Sequence, residues 1–170
     1  MKKALAAAAF AAVSASTFAA GNPGTITFQG EIVAGACGIS ADTLDQTVSL
    51  GQVPANVFKK VGDRSQAQQF NIVLTDCDTS TSGNAFFTFT GAADSANPEL
   101  FATTGSASDV GIRLQSSSNE YLKNGTEQSA PVVLSNGNNT VTFGAMYEAT
   151  AASVTPGIAN SVANFTVRYQ

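Results

Sequence analysis

The sequence predicts an all-β sandwich on the basis of two patterns. Apolar and polar residues alternate in short segments rich in Thr, Val, Phe and Ile, which is the period of a half-buried β-strand. Gly, Asn, Asp and Ser separate these segments and supply the turns between strands. Since no segment has the sustained period of a long helix, many short strands in one domain favour two packed antiparallel sheets.

The alternating segments can be followed along the chain in order. Their alternating apolar residues are Val48 and Leu50; Phe70, Ile72 and Leu74; Phe87 and Phe89 within 85–90; Val110, Ile112 and Leu114, with Arg113 and Gln115 on the other face; Val141, Phe143, Ala145 and Tyr147; and Ala163, Phe165, Val167 and Tyr169. A shorter strand is expected at 132–134. Asn124 with Gly125 and Asn136 with Gly137 are typical turn dipeptides. A single helical turn is expected near residues 98–102.

The first residues predict a secretory signal peptide rather than part of the domain. Lys2 and Lys3 precede an apolar run at 4–13, which is too short to span a bilayer. Small residues follow, and Thr17 and Ala19 fit a cut after Ala19, with Ala20 as the alternative. We therefore expect a signal peptide at 1–19 and export of the remainder beyond the inner membrane.

Charge and composition exclude several classes of function. Removing Lys2 and Lys3 lowers the formal net charge from −4 to −6, which argues against nucleic-acid binding. The only cluster of cations, Lys59, Lys60 and Arg64, is predicted to be a solvated loop, with a binding patch as the alternative. The chain has no His and no Cys-x-x-Cys pair, so neither a metal or cofactor site nor an enzyme is expected. Asp76 and Asp78, which flank Cys77, are interpreted as a solvated turn.

Cys37 and Cys77 are the only two cysteines. In an exported protein, two cysteines most simply form one disulfide. The closed loop has about 40 residues, for which the chain-entropy model gives roughly 4 kcal/mol.

Both ends of the mature chain have strand patterns. The C-terminal pattern runs through Tyr169 to Gln170, and it indicates either an ordinary last strand or one that another chain covers. Near the N-terminus, Gly24, Ile26 and Phe28 face one way. They form either the first strand of the domain or an arm that pairs with the open edge of another chain. A further strand is expected at 32–34, just before Cys37.

Four segments resemble the chaperone–usher pilins, in particular the major subunits of type 1 fimbriae. They are GTITFQGEIV at 24–33, followed by Cys37; DQTVSLGQV at 45–53; FNIVLTDCD at 70–78, which holds the second cysteine; and ANFTVRYQ at 163–170, with its penultimate tyrosine. The resemblance extends over essentially the whole mature chain, in the same order and spacing.

The resemblance implies an incomplete immunoglobulin-like sandwich that lacks its seventh strand and is completed by a donor strand from a neighbouring subunit. It assigns a donor extension to 20–29, a pilin domain to 30–170, and the groove-facing donor residues to Gly24, Ile26 and Phe28. Phe165, Val167, Tyr169 and Gln170 then belong to the strand that borders the groove and binds the chaperone. Asn22 departs from the family, whose arms usually carry an apolar residue at that place.

The function implied by the resemblance is that of a structural subunit of a pilus rod at the cell surface. Its expected partners are neighbouring subunits, joined head to tail, a periplasmic chaperone and an outer-membrane usher. The alternative is a minor adaptor or a single-domain adhesin of the same kind of fibre. The absence of Trp and the presence of only three Tyr leave few platforms on which sugars could stack.

Overall fold

The computed structural model describes residues 24–32 and 35–170. These residues fall into two units, 24–32 and 35–170. The predicted signal peptide and its cleavage site lie outside the described residues, as do Asn22, Val33 and Ala34. No helix within the described ranges is long and apolar enough to cross a membrane.

The regular secondary structure of the domain at 35–170 consists almost entirely of antiparallel strands. Its elements are β1 (Gly38–Ile39), α1 (Ala41–Leu44), a 3₁₀ turn (Ala55–Val57), β2 (Gln68–Cys77), β3 (Asn84–Gly91), β4 (Phe101–Ala102), β5 (Val110–Ser116), β6 (Tyr121–Leu122), β7 (Val132–Val133), β8 (Gly137–Ala149) and β9 (Ala163–Tyr169). Gly137 has a φ of 88°, so a glycine at this position of the turn relieves the steric cost of left-handed backbone.

Two sheets face each other across the core. The larger sheet has the order β1-β2-β8-β5-β4, and β6 also pairs with β5. The smaller sheet has the order β7-β3-β9. Alternate residues of β2, β3, β5 and β8 point into the space between the sheets, where Phe87, Phe143 and Ile72 are among the fully buried side chains. The predicted all-β sandwich is confirmed.

The disulfide joins Cys37 to Cys77, as the sequence predicts. Both cysteines are buried in the core cluster, at one end of the larger sheet. The bond ties the entry of the chain into the domain to the end of β2. A hydrogen bond from Asp78 N to Ala36 O (2.9 Å) reinforces the same link.

Two strand predictions were wrong. Val48 and Leu50 lie outside any strand, although both are half-buried against the core. Their side chains follow the predicted alternation, but their main-chain groups pair with nothing in the described residues. Ile32 is also outside any strand and fully exposed, whereas Val33 and Ala34 of the same prediction are not described.

Arg64 is exposed, as predicted for a solvated loop, but it also forms an ion pair. Its Nε lies 2.6 Å from Oε2 of buried Glu148, and its guanidinium carbon lies 4.2 Å from the centre of the Tyr121 ring. Lys59 and Lys60 are exposed, as predicted. Arg113 lies on the face of β5 opposite Ile112, but it is buried and does not face solvent. Loops cover this outer face of the sheet, which sequence periodicity does not register.

Candidate functional site

The C-terminal strand β9 forms one edge of the smaller sheet. Within the described part of the chain it pairs with a single strand, β3, from Gly91 opposite Ala163 to Ala85 opposite Tyr169. A strand edge without a partner is a template for pairing with another strand. The ladder continues to the last residue, since Gln170 and Asn84 exchange two hydrogen bonds of 3.0 Å.

The register decides which main-chain groups of β9 remain unpaired. In an antiparallel ladder, residues alternate between hydrogen-bonded and non-hydrogen-bonded pairs. Gln170 forms a hydrogen-bonded pair, so Arg168, Thr166 and Asn164 do the same. The N–H and C=O groups of the three intervening residues, Phe165, Val167 and Tyr169, therefore point away from β3 towards the unpaired edge.

The same three residues direct their side chains towards the core and remain half-buried. Opposite them, across the sandwich, Val48, Leu50 and Phe70 are also half-buried against the core. Residues on both sides therefore lie against the core without being covered, which is the pattern expected where one strand of a sandwich is absent.

The space between these two borders is a groove of about 960 Å³. One wall is the segment 43–51 and the other is the segment 159–165. Its floor is apolar and is formed by Phe70, Phe89, Phe101, Ile112, Leu114 and Ala145. We refer to this space as the edge groove. Its apolar floor and the unpaired edge of β9 suit an extended peptide with alternating apolar side chains.

The two ends of the edge groove differ. Beyond one end, at the C-terminus of β9, the Tyr169 hydroxyl donates to Cys37 O (3.4 Å), and a Cβ on Gly35 would lie 3.1 Å from Cε2 of Tyr169. At the other end, the Tyr147 hydroxyl donates to Ala159 O (2.8 Å). Burial raises the pKa of both tyrosines above the ordinary 10.0, so each hydroxyl keeps its proton at neutral pH and can donate.

The predicted donor residues lie in the separate unit 24–32. Ile26 is 78% exposed and Phe28 is 89% exposed, so both are available to another surface. A Cβ on Gly24 would have no neighbour within 4 Å. Nothing in the structure tests the role of these three residues, and it stays a prediction.

A buried ionic cluster lies on the outer face of the larger sheet, and sequence reasoning missed it. Arg113 Nε and Nη2 each donate to Glu148 at 3.0 Å, and both side chains are 5% exposed. Burial acts to raise the pKa of Glu148, but hydrogen bonds from Arg113 and Arg64 outweigh it, so the pKa lies below its ordinary value. The cluster links β5, β8 and the loop that contains Arg64. Its three charges therefore have a structural role.

The described residues give little support for a metal site or for a catalytic pair of carboxylates. There, no three His, Cys, Asp or Glu side chains are grouped so that they could hold a metal ion. Asp78 Oδ1 accepts hydrogen bonds from the Ser80 hydroxyl (2.6 Å) and main chain (2.9 Å), which is the geometry of a turn. Asp76 is exposed, in keeping with the predicted solvated turn.

A comparison with protein-family models finds one that matches residues 26–170, the model described as "Fimbrial protein". The chain belongs to this family of fimbrial proteins. It is 45% identical over 155 residues to the type-1 fimbrial protein A chain of Escherichia coli, covering 88% of this chain and 84% of that protein. It is 40% identical to the fimbrial subunit type 1 of Salmonella typhimurium, covering 86% of this chain and 83% of that one.

Solved pilin structures share the fold. One, described as a chaperone–usher pilus, superposes with a TM-score of 0.76 at 28% identity, covering 92% of this chain and all of that one. The P pilus rod subunit PapA gives a TM-score of 0.68 at 25% identity, covering 80% of this chain and 100% of the other. The immunoglobulin-like pilin fold and the structural role of a fimbrial subunit, both expected from the sequence, are thereby confirmed. The family consists of structural components of surface pili, not of known enzymes.

Proposed function

We propose that this chain is a repeating subunit of a chaperone–usher pilus rod and that it polymerises by donor-strand exchange. The observation that carries this proposal is the edge groove beside β9. There, the main-chain groups of Phe165, Val167 and Tyr169 have no partner among the described residues, and their side chains are only half-buried. A strand borrowed from a second copy would satisfy both deficits at once.

The donor extension at 20–29 has the pattern that the edge groove requires. Ile26 and Phe28 alternate with polar Thr25 and Thr27, so one face of an extended strand is apolar. Burying the two large side chains contributes roughly 1.5–3 kcal/mol each. Gly24, with no side chain, suits a narrow part of the groove. In this proposal the pilin domain comprises residues 30–170.

One chain thus carries both a donor and an acceptor, so the contact is heterologous and generates an open filament. The groove must also be covered before assembly, because an uncovered edge promotes aggregation. A periplasmic chaperone bound along β9, near Tyr169 and Gln170, would provide that cover until an outer-membrane usher hands the subunit to the fibre. The exported subunit then becomes part of a fimbrium that supports adhesion.

The donor residues can be tested with two matched substitutions. Phe28→Asp places a charge on the apolar face of the arm, whereas Thr27→Asp places the same charge on the polar face. We expect Phe28→Asp to abolish fibre shafts in electron micrographs and Thr27→Asp to leave them. Equal assembly of the two variants would show that this face of the arm does not enter a groove.

Deleting the gene separates the rod role from the alternative roles. A rod subunit is required for the shaft, so the deletion strain should carry no shafts at all. Shafts that persist and lack only their tips would assign the chain to a minor adaptor or adhesin instead.

A further inference from the structure

Two lysines differ from the other cations of the described chain. Arg64 and Arg113 contact Glu148, Lys123 contacts Glu99, and Arg168 contacts Glu127 in salt bridges. Lys59 and Lys60, by contrast, have no ion-pair partner among the described residues, and both are exposed. In a chain with a net negative charge, two adjacent exposed amines form a local positive patch, to which an acidic surface would be complementary.

Lys59 and Lys60 lie at one end of the domain. The loop that follows them pairs with the last residue of β8, since Gly62 N donates to Ala149 O (2.8 Å) and Ala149 N donates to Asp63 O (2.9 Å). Val57 and Val61, on either side of the lysines, are exposed as well. We call Val57, Lys59, Lys60 and Val61 the lysine end.

Two carboxylates share this end of the domain, and both have other hydrogen-bond partners. Asp63 Oδ2 accepts from the main-chain N–H groups of Lys59 (2.7 Å) and Lys60 (3.0 Å). Asp109 Oδ2 accepts from the Ser108 hydroxyl (2.8 Å). Neither carboxylate forms a salt bridge with a lysine amine in the described structure, so both amines can reach a partner.

The opposite end of the domain is acidic. Asp76 and Asp78 are exposed on either side of Cys77, which pairs with Gly137, the first residue of β8. Since β8 runs from Gly137 to Ala149, the two ends are about 40 Å apart at 3.3 Å per residue. The carboxylate of Asp76 accepts no hydrogen bond from the described residues. We call Asp76 and Asp78 the aspartate end.

Head-to-tail assembly by the proposed donor-strand exchange would bring these two ends together. The chain enters the domain at Gly35, beside Tyr169 and therefore at the aspartate end. If a borrowed strand ran parallel to β9, the donor's domain would follow at that same end, where the acceptor's own arm departs. If the borrowed strand instead ran antiparallel to β9, the donor's domain would follow beyond Ala163, at the lysine end of the acceptor. The donor's own groove would then stay free, and the filament could continue to grow.

We propose that the lysine end of each subunit docks on the aspartate end of the next subunit in the fibre. This inference rests on the proposed donor-strand exchange and adds a second contact, outside the groove, with a second copy of this chain as the partner. Complementary charges at such a contact accelerate encounter and set its orientation. The contact also ensures that a subunit with its arm in the groove is oriented for the next addition.

The test uses the full chain and three variants. Lys59→Gln with Lys60→Gln removes the amines, and Asp76→Asn removes one carboxylate while keeping a side chain that tolerates the local φ of 52°. The control is Gln69→Glu with Ser117→Glu, which makes the same change in net charge. Gln69 pairs with Gly144 near the middle of β8, and Ser117 directly follows Ser116, which pairs with Phe143.

We expect the double lysine variant to assemble about threefold to tenfold more slowly than the control at low salt. The difference should vanish near 1 M salt, where the Debye length is about 3 Å. The variant that combines Asp76→Asn with the two lysine changes should lose less assembly rate than the sum of the separate losses, because both changes remove the same contact. Equal rates for the lysine variant and the control, or fully additive losses, would overturn the proposal.

A peptide spanning residues 20–30 separates this contact from the donor strand. The peptide carries the arm without the aspartate end, so it should bind the wild type and the lysine variant equally well. If it binds neither, donor-strand exchange itself fails. If it binds the variant more weakly, the lysines act on the groove, and the contact between subunit ends is wrong.

Discussion

Phe89 on β3 and Phe165 on β9 lie opposite each other with their ring centroids 6.2 Å apart, yet Phe89 is buried and Phe165 is half-buried. Phe89 also packs edge-on against Phe70 and Phe143. The change from buried core to half-covered groove therefore occurs between these two neighbouring rings.

Filling the edge groove should stabilise the subunit. We expect the peptide 20–30 to raise the free energy of unfolding by about 2.7 kcal/mol at 100 times its dissociation constant, because it binds only the folded state. Chemical denaturation with and without the peptide measures the change. A peptide carrying Phe28→Asp should give no increase, and an equal increase would show that the apolar face does not mediate binding.

The buried pair of Arg113 and Glu148 should be sensitive to the loss of either partner. Glu148→Gln leaves the buried Arg113 guanidinium without its main counter-charge, and we expect a loss of about 3 kcal/mol in the free energy of unfolding. Replacing both residues by apolar ones, Arg113→Met with Glu148→Leu, should recover most of it. Glu127→Gln, which breaks the exposed pair with Arg168, is the control and should have little effect.

Acid should weaken the same cluster. Because the pKa of Glu148 is lower in the folded chain than its ordinary 4.5, its contribution to stability is complete above pH 4.5 and is lost as the pH falls through the lowered value. Asp78, Glu99, Glu120 and Glu127 shift in the same direction and add to the slope. Unfolding measured between pH 6 and 2 should therefore show a shallower decline for Glu148→Gln; an identical slope would contradict this assignment.

Gly91 should resist substitution because the chain is crowded at the start of β9. A Cβ there would lie 2.6 Å from Val162 O and 2.8 Å from Cδ1 of Phe101. We expect Gly91→Ala to lower the free energy of unfolding by about 1–3 kcal/mol. Gly83→Ala, where a Cβ would have no neighbour within 4 Å, is the matched control. Similar stability of the two variants in thermal unfolding would show that the backbone at the start of β9 shifts at little cost to accommodate the added methyl group.

The strands of the core were predictable because their signal is local. Phe70, Ile72 and Leu74 alternate within a few residues, and each strand face reads directly from that period. The segment with Val48 and Leu50 shows the same period but forms no strand, since the period reports which side chains face the core and not whether the main chain has a partner. That difference defines one wall of the edge groove.

The order of amino acids by itself determined the all-β class, the inward face of each core strand and, through its two cysteines, the disulfide. Only the tertiary structure decided that, among the described residues, β9 pairs with β3 alone, that Arg64 and Arg113 meet on Glu148, and that the lysine and aspartate ends lie at opposite ends of β8. The reason is physical. Alternation is set by neighbours two residues apart, whereas an unpaired edge, a buried ion pair and a separation of charge depend on residues brought together from distant parts of the chain.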